Sequence, residues 1–510
     1  MSAMTRRNFM GISAAGIAGI AASDLLAKPV ALGTTTPGKI NYFNRFGINE
    51  SILKNALAAA LNRGGDFADL FFQHNVQNYL VLTDGAVNRA FKQVTLGVGI
   101  RVVVGDQVGF GFTEDLTPSA ILETSKTAAS IAQGGTGKVA PSFHFKSHLP
   151  DRYHVDTPWE EVRPTKKLNI LNNLNERTFA KDNRIKKATL FFMDSSSAMM
   201  LASSNGLVVE DIQPMTRLYL SCVAEQNGKR EQNSYNLAAR SGMEFYTEER
   251  LNRLIEKAVD RTTVLFDAQP APAGEMPVVM AAGSSGILLH EAIGHGMEAD
   301  FNRKNTSIYS DKIGKAVAKP FVNIIDEGTQ EHARGAINVD DEGNDVGKTM
   351  LVENGILTSY LHDSISSKHY GVKPTGNGRR ESYKHAPMPR MRSTYMLNGP
   401  HSEEEIIKSV KKGIYCSNFS NGEVNIGAGD FTFYVKNGFM IEDGKLTRPI
   451  KDVNIIGNGP KVLEEVDMVA NNLVIDEGGW TCGKDGQSVP VSQGLPTVRV
   501  SSITVGGKNA

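Results

Sequence analysis

The chain has 510 residues, 40% of them hydrophobic and 22% charged, which is enough for several domains with large buried cores. Lys+Arg and Asp+Glu both number 55, so no overall charge draws it to nucleic acid or to anionic lipid. Three cysteines (Cys222, Cys416 and Cys482) build no disulfide framework and leave at least one thiol free.

The chain opens with Thr5-Arg6-Arg7-Asn8-Phe9-Met10 and a Gly/Ala/Ile/Ser stretch over 11–22. Twin arginines before a weakly apolar segment read as a Tat-type export signal. Residues 1–33 are therefore assigned to a signal peptide and linker, and the mature protein to the periplasm. Asp24 interrupts the apolar run, and no later segment is apolar enough to span a bilayer, so no stable membrane insertion is expected after cleavage.

Beyond a Thr/Pro/Gly linker, Ile52, Leu53, Leu57 and Leu61 recur at helical spacing and predict a helix over 49–61. Strands are expected over 67–72 and 79–82, then a hairpin over 95–113 with Gly105-Asp106 near its turn. Thr117-Pro118 opens a capped helix reaching about 133. A helix over 160–181 follows, then strands over 188–193, 199–202, 207–211 and 216–224, with Asn205-Gly206 and Asn227-Gly228 as turn signals. A helix over 248–263 closes this half, and Pro270, Pro272 and Pro277 mark a boundary. The second half begins with a strand over 278–281 and a helix from Ser284/Ser285 to about Ala299. Ser402 and Glu405 form a capping box for a helix over 402–412. Short strands with Gly turns make up most of the rest: 321–325, 349–360, 422–426, 431–435, 439–442, 453–456 and 497–505. The expected class is α+β. An N-terminal mixed α/β domain (40–270) precedes a β-rich C-terminal domain (271–510) that carries the helix from Ser284.

That helix contains His290-Glu291-Ala292-Ile293-Gly294-His295. Two neutral imidazoles can hold a metal, and Glu291 can act as general base on a metal-bound water. The spacing is unusual, because ligands sharing a face of an α-helix lie four apart. Five apart, they diverge by about 140° on a regular helix. A π-type turn of roughly 4.4 residues would reduce this to about 50°. Gly294 and Gly296 would ease that distortion or end the helix there. A third protein ligand is needed. Glu298, Asp300, His332, His362, His369, His385 and the cysteines are all candidates. Cys482 stands out because it lies in the glycine-dense run 478–486, whereas Cys222 and Cys416 read as buried structural thiols.

Three blocks in order, HEAIGHGMEAD, TGNGRRESYKHAPMPRMRSTYM (375–396) and CGKDGQSVPV (482–491), resemble the TldD/PmbA family of metalloproteases, and more closely its TldD-type, metal-bearing subunit. The family pattern maps onto His290, Glu291, His295 and Cys482. The resemblance implies one divalent metal ion per active subunit, zinc by preference, and hydrolysis of small or unfolded peptides. It also implies a homodimer, or a heterodimer with a PmbA-like metal-free subunit. The export signal departs from the family's cytoplasmic pattern. In the middle block Arg379, Arg380, Tyr383 and His385 are candidate substrate-binding residues. The competing reading is a structural loop whose arginines pair with Asp340, Asp341 or Glu342. Two other functions fit the residues: a non-peptidase metal amidohydrolase and a non-catalytic peptide-binding subunit.

Overall fold

The computed structural model describes residues 38–506, so the expected export signal lies outside the described residues. The fold is mixed α/β and strand-rich, as the sequence predicts.

The first half is one sheet, antiparallel except for one short parallel strand, with helices on a single face. Its strands are β1 (Phe67–Thr83), β2 (Ala86–Val104), β3 (Gln107–Thr113), β4 (His144–Phe145), β5 (Ile185–Ser203), β6 (Leu207–Gln226) and β7 (Lys229–Ala239). Their order is β3-β2-β1-β5-β6-β4, with β7 also on β6. Its helices are α1 (Glu50–Ala60), α2 (Pro118–Ile131), α3 (Pro164–Lys181) and α4 (Glu248–Thr263). Asn49, Thr117 and Thr247 cap three of them by accepting a backbone N–H from three residues on.

Side chains alternate across a strand, so the two faces can be read by parity. Leu70, Phe72, Ala198 and Met200 pack under α1 and α2, and Leu190 and Phe192 pack in the core with α3 and α4. Phe71, Met199 and Leu201 point the other way, onto Val339 and Tyr383 of the second half. Charge reinforces that junction. Arg101 on β2 is buried between Asp69 on β1 and Glu342 of the second half, at 2.5 and 2.6 Å. Removing one member would leave a buried charge uncompensated.

Several expected strands are halves of one. The segments 67–72 and 79–82 both belong to β1, 188–193 and 199–202 to β5, and 207–211 and 216–224 to β6. The apparent breaks are polar: Gln73-His74-Asn75, Ser195-Ser196-Ser197 and Gln213-Pro214. They interrupt hydrophobic periodicity without interrupting the hydrogen-bonded ladder.

The second half has two larger sheets. One has seven strands and centres on Gly274–Met280, Lys412–Asn425 and Asp430–Glu442. The other has six and includes Ile324–Glu327, Ser393–Met396 and Ser492–Leu495. One hydrophobic core joins them and contains Leu289, Ile293, Phe433 and Cys482. The capped helix runs Glu403–Lys408, shorter than expected, with both capping-box bonds formed. Among the described residues no helix is long and apolar enough to cross a membrane.

Candidate metal centre

The expected single helix over 284–299 is a succession of different turns. Ser284–Gly286 is 3₁₀, Ile287–Leu289 is α, His290–Gly294 is π and His295–Met297 is 3₁₀ again. The His295 N–H donates to the His290 carbonyl, the i→i+5 bond that defines the wider turn. The two imidazoles therefore face one region, with centroids 5.0 Å apart and planes at 85°. Gly294 has an ordinary helical backbone (φ −58°, ψ −50°), and it is the surroundings that require a glycine. A Cβ there would lie 2.0 Å from Met391 Sδ, in a fully buried contact.

The third side chain arrives from a separate hairpin, Thr481–Lys484 paired with Gln487–Pro490. Asp485 (φ 48°) and Gly486 (φ 71°) form its two-residue turn. Both have positive φ, which suits the right-handed twist of a tight hairpin. Alternation sends Cys482 and Lys484 to the buried face and Thr481 and Gly483 outward. Arg390 fastens the ribbon by donating from Nη2 to the Cys482 carbonyl at 2.6 Å.

His290, His295 and Cys482 thus offer three ligand atoms within 4.8 Å of one another, all from buried residues. Cys482 Sγ lies 3.5 Å from His295 Nε2. His290 Nδ1 is buried with no hydrogen-bond partner. Burial alone would raise the Cys482 thiol, but the two imidazoles hold it well below the usual thiol range. That favours the thiolate, the form that ligates a metal. Two imidazoles, a thiolate and an unsatisfied ring nitrogen in one cluster fit a zinc-type ion.

Glu291, next to His290, has no hydrogen-bond partner among the described residues. Burial, partly offset by the two histidines, raises its carboxyl above the ordinary range. Gly422 passes close by, and an added Cβ there would sit 3.2 Å from Glu291 Cγ.

Glu298, weighed from sequence as a ligand, instead accepts from the far nitrogen of His295 (Nδ1 to Oε2, 3.0 Å). It is fully buried. Burial opposes its charge, yet Lys484 and His295 hold its carboxyl at about 2. Lys484 lies 3.1 Å from Glu298 and 2.8 Å from Asp300. Residue-type reasoning missed Lys484, although strand alternation puts it on the same face as Cys482. An acceptor of this kind fixes the ring and its tautomer. We expect Glu298→Gln to weaken metal affinity about 10- to 100-fold while the fold survives. Competition against a calibrated chelator would measure this, and an unchanged affinity would remove Glu298 from the centre.

Of the other expected residues, Cys222 and Cys416 are buried and unpaired, away from the cluster. Arg379 is near enough to Cys482 for their charges to interact, whereas Arg380, Tyr383 and His385 make no contact with the triad among the described residues. All four line a cavity that also takes in Thr481, Ser488 and Pro490 of the hairpin, on the face turned away from Cys482. Tyr383 packs against Gly97 and donates to Glu114 at 3.0 Å. Arg380 lies 3.5 Å from Asp69, and its backbone N–H donates to Asp341. Arg392 is paired with Asp326 and not with the acids expected from sequence.

Three family models match, described as PmbA/TldA metallopeptidase domain 1 (68–132), central domain (157–266) and C-terminal domain (273–507). A protein of Haemophilus influenzae named metalloprotease TldD homolog is 38% identical over 91% of this chain and 97% of its own length. The chain belongs to the TldD/PmbA family. Another TldD/PmbA relative, from Saccharolobus solfataricus and named a zinc metalloprotease TldD homolog, is 27% identical over 87% of this chain and 97% of its own. Two solved structures share the TldD/PmbA fold at low identity. TldE of Thermococcus kodakarensis aligns at 18% identity and a TM-score of 0.71, covering 89% of this chain and all of its own. A Bacteroides thetaiotaomicron protein, whose name links it to modulation of DNA gyrase, aligns at 20% and 0.72, covering 90% and 99%.

Proposed function

We propose that the protein is a metal-dependent peptidase acting on small or unfolded peptides. One observation carries the reading: two imidazoles and a thiol converge within 4.8 Å beside the unpaired carboxyl of Glu291. The relatives' names support the same class.

His290, His295 and Cys482 would hold one divalent ion, zinc by preference, in each active subunit. Such an ion supplies Lewis acidity toward the scissile carbonyl and makes water a better proton donor at neutral pH. The remaining chemistry belongs to the chain. Glu291 takes the proton of the attacking water and delivers it to the leaving amine. Its carboxyl, raised above the ordinary range by burial, is a stronger base than an exposed carboxylate. Glu298 and Lys484 keep His295 in one orientation.

The test pairs metal analysis with turnover. We expect a chelator to abolish cleavage of an unstructured peptide and added Zn²⁺ to restore it. Cleavage that survives complete metal removal would sink the proposal.

A second chain of the same fold is the partner we propose, either another copy or a metal-free TldE/PmbA-type subunit. The domain division at about 270 and Tat-dependent export to the periplasm belong to the same reading. Native mass measurement would check the partner, limited proteolysis the boundary, and cell fractionation the export.

A further inference from the structure

The polar breaks in β1, β5 and β6 have a common destination. Gln73, Asn75, Gln77, Ser195, Ser197 and Gln213 all line one cavity of about 580 Å³ between the sheet and the second half. Strand alternation aims them together at the opposite wall. That wall carries Arg240, Arg334 and Arg379, each no more than 6% exposed.

None of these three guanidiniums makes an ion pair among the described residues. Their hydrogen bonds go to neutral acceptors. Arg240 donates to the Arg334 carbonyl and to Gln213 Oε1, at 3.1 and 3.2 Å. Arg334 donates from Nε and Nη2 to the Trp480 carbonyl. Arg379 donates to the Met391 and Pro490 carbonyls. The carboxylates on the wall are Asp341 and Glu381. Asp341 accepts from the Arg380 backbone at 2.8 Å, and Glu381 accepts from Ser488. Burial, with repulsion between neighbouring guanidiniums, pushes Arg334 and Arg379 down to about 9. Positive charge is therefore in excess inside a partly enclosed space, where an anion is bound most strongly. Forked guanidinium donors match a carboxylate's two oxygens.

We propose that this cavity is a subsite for a carboxylate of the peptide substrate. The identification of the ligand as a peptide rests on the peptidase reading, while the anion chemistry rests on the guanidiniums. The hairpin separates the subsite from the metal cluster, with Thr481, Ser488 and Pro490 on one face and Cys482 on the other. Thr481 also borders a second cavity, of about 390 Å³, that reaches Ser284 and Phe419. A peptide anchored by its carboxylate thus has space around the hairpin edge toward the start of the His290 segment. Glutamine and asparagine side chains on the facing strand can meet its backbone N–H and C=O groups.

The carboxylate could be the peptide's C-terminus or an acidic side chain, and the experiment separates them. A fluorescent unstructured peptide is titrated with full-length, metal-loaded Glu291→Gln protein in four forms: free C-terminus, C-terminal amide, amide with one Glu, and amide with Gln in its place. The expected result is about tenfold tighter binding for at least one carboxylate form over its neutral counterpart. The form that gains identifies the source. Arg240→Gln and Arg334→Gln should reduce the preference below about twofold. Should either fail to fold, Gln213→Glu, which adds a carboxylate beside Arg240, must abolish the preference instead. Equal binding of all four forms overturns the subsite. A carboxylate preference in a protein whose wild type cleaves nothing would remove the peptidase and leave the subsite. Equal binding with wild-type cleavage of every form would do the reverse.

Discussion

Glu291→Gln keeps its full complement of metal and loses about 10²- to 10⁴-fold in peptide turnover, the usual contribution of a general base. The amide is isosteric with the carboxylate but cannot accept a proton. Because Glu291 has no hydrogen-bond partner among the described residues, the substitution orphans no buried group. His290, His295 and Cys482 are untouched, so the ligand set that converges within 4.8 Å persists. Metal content and single-turnover cleavage, measured on one preparation, separate the two roles. Wild-type cleavage by the variant would show that Glu291 moves no proton. Loss of metal together with activity would make it part of the binding cluster.

Cys482→Ser should lower metal affinity by about 100-fold or more, with activity falling in parallel. A serine hydroxyl stays protonated where this thiol, beside two imidazoles, is held well below its usual range. The replacement also exchanges a soft donor for a hard one. Cys222→Ser and Cys416→Ser are the controls. Both thiols are buried, and burial pushes Cys222 up to about 12. Their substitution costs stability but leaves the zinc complement intact. Full occupancy in Cys482→Ser would send the search for a third ligand elsewhere.

Where local pattern and tertiary environment agree, the fold is readable from the chain alone. The helix Glu248–Thr263 coincides with its predicted span, because its apolar stripe and Thr247 cap are local signals. The long strands are not readable in this way. Their polar interiors face a cavity, which periodicity registers as a break. The motif segment lies between these cases. Its two histidines and Gly294 announce a distortion, but a helix-length apolar run suggests one continuous element, and the structure has four short turns. Cys482 was legible as a candidate through its glycine-dense loop and through family resemblance. Lys484 meets Asp300, and Cys482 meets His295, only when segments 184 or more residues apart come together, and no local signal carries that, whereas Glu298 stands just three residues from His295. The arginine block was read as one unit. Its members divide between buried ion pairs, as for Arg392, and a cavity wall, as for Arg379.

The π-turn makes this centre sensitive to arithmetic more than to composition. Ala292 and Ile293 contribute spacing, and many apolar pairs of similar volume would serve between the two imidazoles. Loss of a single residue is different in kind. It would close the turn to α geometry and rotate everything downstream by about 100° relative to everything upstream. The histidines would then stand four apart, the ordinary spacing for a helical chelate, yet Met297, Glu298 and Ala299 would be carried out of register with the core, Lys484 and Leu361. Insertions and deletions, the coarsest of sequence changes, are therefore the ones this segment tolerates least.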